Sequence, residues 1–343
     1  MTTELSSGSV QSAADPATTA PKPVRDFRYW VKRIMIDIVI GYVLLIVVLF
    51  FYQKKMVYQP SKAETLTTQE AGFAREQARD ISAKTKDGLT IKGWHIHSRT
   101  LQSKGTPPPP PDIGKSTTLS RAQIVTLFFC GNAGNKSDRV DTFRRITQIS
   151  GGDVVCFDYR GYGDSPGDPD EEGLALDARA AWDFIRAKNV QPQNIVIHGE
   201  SLGGGVATRL ASELCAEGTP PAALVLEATF TRLSAAGQKH FWFLPVALIL
   251  TQKFPSVQHI PKLTCPLLQF HGTTDPVIPF SIGKELHDAA PAQSQSGIPK
   301  RFVELKCGHN DVGIVDSAKY REALKEFFVL IKPSLAEPPK KEK

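Results

Sequence analysis

Hydrophobic positions along this chain fall into three regimes. From Ile34 to Tyr52 the sequence IMIDIVIGYVLLIVVLFFY is almost wholly apolar, over about the length that crosses a bilayer as a helix. Asp80–Lys84 and Leu89–His97 then largely alternate apolar and polar residues around Asp87-Gly88, which is the pattern of a β-hairpin. From Gln123 onward, short apolar runs at Ile124–Phe129, Asp153–Phe157, Asn194–His198, Ala223–Glu227, Leu267–Phe270 and Arg301–Leu305 predict buried strands. Amphipathic stretches near 138–149, 171–188, 202–216, 281–290 and 317–332 predict helices between them and after the last. Strands alternating with helices imply a mostly parallel central sheet with helices on both faces, an α/β architecture. One more apolar segment, His240–Gln252, is too short to span a membrane. Within 236–255 it reads equally well as a helical cap over the sheet's carboxyl edge or as an ordinary buried helix.

The flanks of the first regime organise the rest. Residues 1–33 are rich in Ser, Thr, Ala and Pro and predict a disordered tail. Lys32, Arg33, Lys54 and Lys55 bracket the apolar run, so 34–53 reads as a transmembrane anchor rather than a core helix. Phe50, Phe51 and Tyr52 stand where a cleavage site would need small residues, so the anchor is expected to stay. Lys22, Arg25, Arg28, Lys32 and Arg33 on one side against Lys54, Lys55 and Lys62 on the other favour a cytoplasmic N-terminus. The remaining domain, 54–333, is then expected on the non-cytoplasmic side. Residues 100–121, with Pro107–Pro111, read as an exposed loop insertion, and 334–343 as a basic tail.

Charge and cysteine usage narrow the partners. The formal net charge is +6, yet the excess lies beside the apolar run and in the tail, with no basic stripe interleaved with aromatics. Nucleic acid is therefore not an expected partner. The five cysteines, Cys130, Cys156, Cys215, Cys265 and Cys307, show no C-x-x-C or Cys/His ligand spacing. They read as small buried apolar residues, not a zinc site or a disulfide framework.

The chemistry is carried by three loops. Gly199-Glu200-Ser201-Leu202-Gly203 fits the nucleophile elbow G-x-S-x-G, between a predicted strand and a predicted helix. A serine hydroxyl needs a base to remove its proton, and in the α/β-hydrolase fold an acid and then a histidine follow the serine in chain order. Asp275 follows strand 267–270 and His309 follows strand 301–305, each at a carboxyl end where such sheets gather their ligands. Glu227, ending strand 223–227, is the competing acid. The oxyanion donors are expected to be the backbone N–H of Leu202 and that of Asn132, with Ala133 as alternative, in the loop Cys130-Gly131-Asn132-Ala133-Gly134-Asn135. That loop lacks the Lys-Ser/Thr of a phosphate-binding P-loop. Asp158 and Arg160 are expected to pair with loop backbone and brace it, in preference to touching substrate.

At these residues the sequence resembles the membrane-anchored α/β-hydrolases of the bud-emergence type, related to the serine-aminopeptidase and prolyl-oligopeptidase branch. The likeness runs from about Lys54 to Lys332. It rests on Val57-Tyr58-Gln59-Pro60, Gly131-Asn132-Ala133-Gly134-Asn135, Asp158-Tyr159-Arg160-Gly161-Tyr162-Gly163, Gly199-Glu200-Ser201-Leu202-Gly203-Gly204, His271-Gly272-Thr273-Thr274-Asp275 and Gly308-His309-Asn310. The resemblance implies an N-terminal anchor, a Ser201–Asp275–His309 triad, no metal or organic cofactor, and esterase, lipase or thioesterase activity. It also implies a histidine where this chain has Cys130, so the oxyanion loop is expected to be held differently here.

The expected function is a membrane-tethered serine hydrolase acting on acyl esters or thioesters of a lipid-like substrate. A peptidase or amidase of the same fold and a non-catalytic hydrolase-fold scaffold are the alternatives.

Overall fold

The computed structural model describes residues 26–61, 66–98 and 124–332. The expected 100–121 insertion and 334–343 tail lie outside the described residues, as does most of the 1–33 tail. The chain divides into two units, one up to Val48 and one from Leu49 onward.

The first unit holds most of a helix that runs Phe27–Val57. The helix extends past the apolar run at both ends, so Phe27–Arg33, expected in the tail, are helical. Asp26 explains the start: its Oδ1 accepts from Tyr29 N at 2.8 Å, satisfying one of the N–H groups that a helix's first turn leaves without partners. From Ile34 to Tyr52 nearly every apolar side chain is exposed.

The second unit is built on one eight-stranded sheet. In chain order the strands are β1 Gln59–Pro60, β2 Ala78–Lys84, β3 Thr90–Ile96, β4 Val125–Phe129, β5 Ala133–Gly134, β6 Asp153–Phe157, β7 Ile195–Glu200, β8 Ala223–Glu227, β9 Leu267–Gly272 and β10 Arg301–Leu305. The sheet order is β10-β9-β8-β7-β4-β6-β3-β2, while β1 and β5 form a separate parallel pair. From β6 through β10 every pairing is parallel; β3 is antiparallel to both β6 and β2. The β2–β3 hairpin turns at Asp87-Gly88, where Gly88 has φ +93°, a region L-residues avoid.

Period-two alternation divides the core between the faces of the sheet. Ile195 and Ile197 of β7 and Leu224 and Leu226 of β8 join one cluster, with helices Glu171–Arg186 and Leu202–Ala216. Val196, Ala223 and Val225, from the same strands, join another with Phe327 and Phe328 of helix Ser317–Ile331. Phe128 packs with Phe143 and Ile146 of helix Val140–Ser150. With both faces covered, β4, β6, β7 and β8 are buried along nearly their whole length, which is why they read as continuous apolar runs.

The segment after β8 departs from a single helix over 240–252. Helix Leu233–His240 ends there, one turn of helix follows at Val246–Ile249, and the chain then runs without regular structure to Phe254. Pro245 has no N–H to continue a helix from His240. This irregular part is pinned by glutamine side chains. Thr251 N donates to Gln53 Oε1 at 2.6 Å, Gln53 Nε2 to Ile249 O at 3.2 Å, and Tyr58 Oη to Gln252 Oε1 at 2.7 Å.

Candidate active site

Ser201 stands between β7 and helix Leu202–Ala216 with φ +52°, an uncommon conformation for a residue with a Cβ. The turn closes only because its glycines have no side chains. A Cβ on Gly203 would lie 2.2 Å from Phe129 O and 2.5 Å from Cys130 O, and one on Gly199 2.5 Å from Gly203 O. The strain is held by bonds to the main chain of Ser201: Ser201 N donates to Glu227 O, and the Thr229 hydroxyl donates to Ser201 O.

Three strand ends bring the predicted residues together. His309 Nε2 lies 3.0 Å from Ser201 Oγ, and His309 Nδ1 lies 2.8 Å from Asp275 Oδ2. The carboxylate partner fixes Nδ1 as the protonated nitrogen and leaves Nε2 to accept from the serine hydroxyl. Asp275 Oδ1 accepts the backbone N–H groups of Val277 and Ile278, each at 2.8 Å. Burial alone would raise the Asp275 carboxyl; the bond from His309, its charge and the two backbone donors outweigh it and hold the group below its usual value. Beneath it, buried His271 donates Nε2–H to Ile278 O at 2.9 Å. Burial pushes the pKa of His271 down and keeps that ring neutral.

Glu227 is engaged elsewhere. Its Oε1 binds His198 Nε2 at 2.7 Å and Tyr320 Oη at 2.6 Å inside the core. Burial opposes its charge, but His198 and Tyr320 hold it below the usual range.

The loop Cys130–Asn135, where the sequence placed an oxyanion donor, is fastened largely through main-chain carbonyls. Tyr159 Oη donates to Cys130 O at 3.0 Å and Tyr162 Oη to Asn132 O at 2.9 Å, while Asn132 Nδ2 donates to Val57 O at 2.9 Å. Cys130 itself is buried with its sulfur 3.5 Å from that of Cys156. All five cysteines are free thiols. Asn132 and Ala133 both line the cleft beside Ser201. Leu202 opens its helix, so its N–H has no intrahelical acceptor.

Asp158 braces this region as expected, through Lys136. Its Oδ1 accepts Lys136 N and its Oδ2 takes Lys136 Nζ, both at 2.7 Å. Arg160 differs from the expectation of a backbone partner. Its guanidinium lies between two carboxylates, Asp177 at 2.8 Å and Asp87 at 2.8 Å, because the fold brings helix Glu171–Arg186 and the hairpin turn to either side of it.

The cleft above Ser201 encloses about 300 Å³. Its walls include Leu202, Phe230, Ala236, Ile278 and Asn310, together with two groups the sequence reading did not single out. Arg139 forms a two-pronged pair with Glu200, the residue before the serine, at 2.9 Å for both contacts. His240 Nε2 meets Val277 O at 2.9 Å. Glu200 was visible inside the elbow motif; nothing local to Arg139 marks it.

Residues 140–256 match the model of the Alpha/beta hydrolase family. The uncharacterized protein Rv2307c of Mycobacterium tuberculosis is 33% identical over 285 residues, which is 82% of this chain and 89% of that protein. Lysophosphatidylserine lipase ABHD12 of Danio rerio is 32% identical over 260 residues, 71% of this chain and 67% of that protein. Among solved structures, the Pyrococcus furiosus esterase Pf2001 superposes with a TM-score of 0.59 at 16% identity, covering 80% of this chain and 98% of its own. An elbow on the central strand, a mostly parallel sheet and these relatives all agree, and the chain belongs to the Alpha/beta hydrolase family.

Proposed function

We propose that the protein is a membrane-anchored serine hydrolase of carboxylic esters or thioesters, with Ser201 as nucleophile, His309 as base and Asp275 orienting the base. The observation that carries this reading is the chain of two hydrogen bonds, Asp275 to His309 at 2.8 Å and His309 to Ser201 at 3.0 Å. A relative named lysophosphatidylserine lipase supports an ester of a lipid as substrate.

In this reading Ser201 Oγ attacks the acyl carbonyl while His309 Nε2 takes its proton. The oxyanion that forms is met by the backbone N–H groups of Leu202 and Asn132. The carbonyl reforms as the C–O or C–S bond to the leaving group breaks, and His309 returns the proton to that group. Water then attacks the acyl-enzyme, giving a proton to His309, which passes it to Ser201 Oγ as the acyl–Oγ bond breaks and the acid leaves. Asp275 stabilises the imidazolium at both stages without being protonated itself.

The anchor is residues 34–53 and the hydrolase domain 54–333. The run of exposed apolar side chains and its bracketing cations support insertion in a bilayer. The surplus of Lys and Arg before the span supports a cytoplasmic N-terminus, so protease added to the cytoplasmic side of sealed vesicles should leave the domain intact.

Fluorophosphonate labelling tests the chemistry. The full-length protein in detergent should be modified at Ser201, located by mass spectrometry, and should hydrolyse activated acyl esters. Ser201→Ala should lose both. Absence of labelling in folded protein sinks the proposal.

A further inference from the structure

A second, larger space adjoins the cleft. It encloses about 620 Å³ between the foot of the long helix and the segment after β8, and its walls are mostly apolar. Leu49 and Met56 form one side; Phe241, Leu244, Val246 and Leu250 form the other. Val57, Asn132, Leu233 and Gly237 line both this space and the Ser201 cleft, so the two spaces adjoin, and a passage between them would lead from the serine hydroxyl to Leu49. A volume of this size lies within the range of about 300–1,000 Å³ typical of sites that bury a small organic ligand.

Two features fix what belongs in it. Leu49 lies inside the apolar run Ile34–Tyr52, and Lys55 stands at the same wall, so the outer end meets the helix where hydrocarbon gives way to headgroups. Beside that end the chain exposes Trp242 at 80% and Leu248 at 84%, with Phe243 half exposed. Aromatic and aliphatic side chains in this arrangement suit the bilayer interface. Gln53 holds the wall in register by bonding Ile249 O and Thr251 N with a single side chain.

We infer that this passage is an acyl-binding groove, in which the foot of the anchor helix forms one wall and a lipid ester draws its acyl chain from the bilayer toward Ser201. The inference rests on the hydrolase reading above and names where that enzyme holds its substrate. The ester carbonyl sits at Ser201, the first carbons of the chain pass Val57 and Gly237, and the rest lies between Met56 and Leu250. Chain-length preference is then set by the helix–cap groove rather than by the cleft around the serine.

The test has two arms. In the first, full-length Ser201→Ala protein in phosphatidylcholine vesicles is irradiated with a monoacylglycerol carrying a mid-chain diazirine. Adducts should concentrate on peptides covering 49–57 and 241–250; adducts only elsewhere overturn the groove. In the second, kcat/KM is measured on p-nitrophenyl acetate and palmitate for wild type, Val246→Trp and Met56→Glu, with fluorophosphonate labelling as the check on folding. The palmitate-to-acetate ratio should fall at least tenfold in both variants, and an unchanged ratio in labelled protein overturns the inference. Adducts in the groove without hydrolysis of any ester would instead sink the hydrolase reading and leave the groove standing. Hydrolysis without chain-length dependence or groove adducts would do the reverse.

Discussion

The main-chain N–H of Ser201 donates to the carbonyl of Glu227 at 2.9 Å, so the strained turn is tied to the end of the neighbouring strand. Glu227 thus supports the serine with its backbone while its side chain faces away into the core, to His198 and Tyr320. One acid ends β8 and the other follows β9 beside it, and of the two only Asp275 reaches His309. Substitution separates their duties.

Asp275→Asn should lower kcat for an activated ester by a factor on the order of 10⁴, the loss seen when the carboxylate that orients a catalytic imidazole becomes an amide. The thermal unfolding midpoint should move little, since an amide oxygen can still accept from Val277 and Ile278. A large drop in midpoint with activity kept would reverse the assignment of roles.

Glu227→Ala should act on stability. It orphans His198 Nε2 and Tyr320 Oη, each at a cost of about 1–3 kcal/mol when buried without a partner. Urea titration should show the loss, while the folded fraction still reacts with fluorophosphonate. Wild-type stability with abolished labelling would point to Glu227 as the acid.

Gly203→Ala tests the packing of the elbow. The added methyl would meet Phe129 O and Cys130 O, and overpacking of this kind costs about 1–3 kcal/mol. Those carbonyls end β4 and begin the loop that carries Asn132, so an oxyanion donor should shift as well. A fall of about a hundred- to a thousand-fold in kcat, the usual effect of losing one donor, is expected on top of the lowered unfolding midpoint.

The pH dependence of stability should show the buried histidines. Burial and the neighbouring Lys300 push His287 from its ordinary 6.5 down to about 4. The unfolded chain therefore takes up the proton first as pH falls, and stability is lost from about 6.5 toward 4 while staying flat above 7. The shift should leave roughly 1–2 kcal/mol between pH 7 and 5. His287→Gln should remove that slope. An identical slope in the variant would assign it to other groups.

Much of this site was legible because its signals are local or ordered along the chain. The elbow motif sat between a strand and a helix, and Asp275 and His309 each followed an apolar run, so geometry had one way to join them. The strands of the main sheet and the helices expected between and after them lay within a few residues of where they were read, because a sheet covered on both faces forces continuous apolar runs; helix Leu233–His240 and the β1–β5 pair were not read. The break at Pro245 was present in the sequence, but the apolar character of His240–Gln252 masked it. What stayed hidden depends on distance. Arg139 finds Glu200, Arg160 finds Asp87 and Asp177, and Gln53 finds Thr251 across long separations in the chain. A polar residue paired inside the fold looks, in sequence, like one pointing at water. Asp26 was the exception: an acid at N-cap spacing ahead of a helix could have extended that helix's start.

On leaving the long helix the chain pairs at once with the loop proposed to hold the oxyanion. Gln59 lies opposite Ala133 and Pro60 opposite Gly134, and Gln59 N donates to Asn132 O. That two-residue ladder is a mechanical coupling. A tug or tilt at the foot of the helix would be carried through two peptide units to Asn132, the proposed oxyanion donor. A chain cut free just beyond Pro60 would keep Ser201, His309 and Asp275 and lose the strand that pairs with the Asn132 loop.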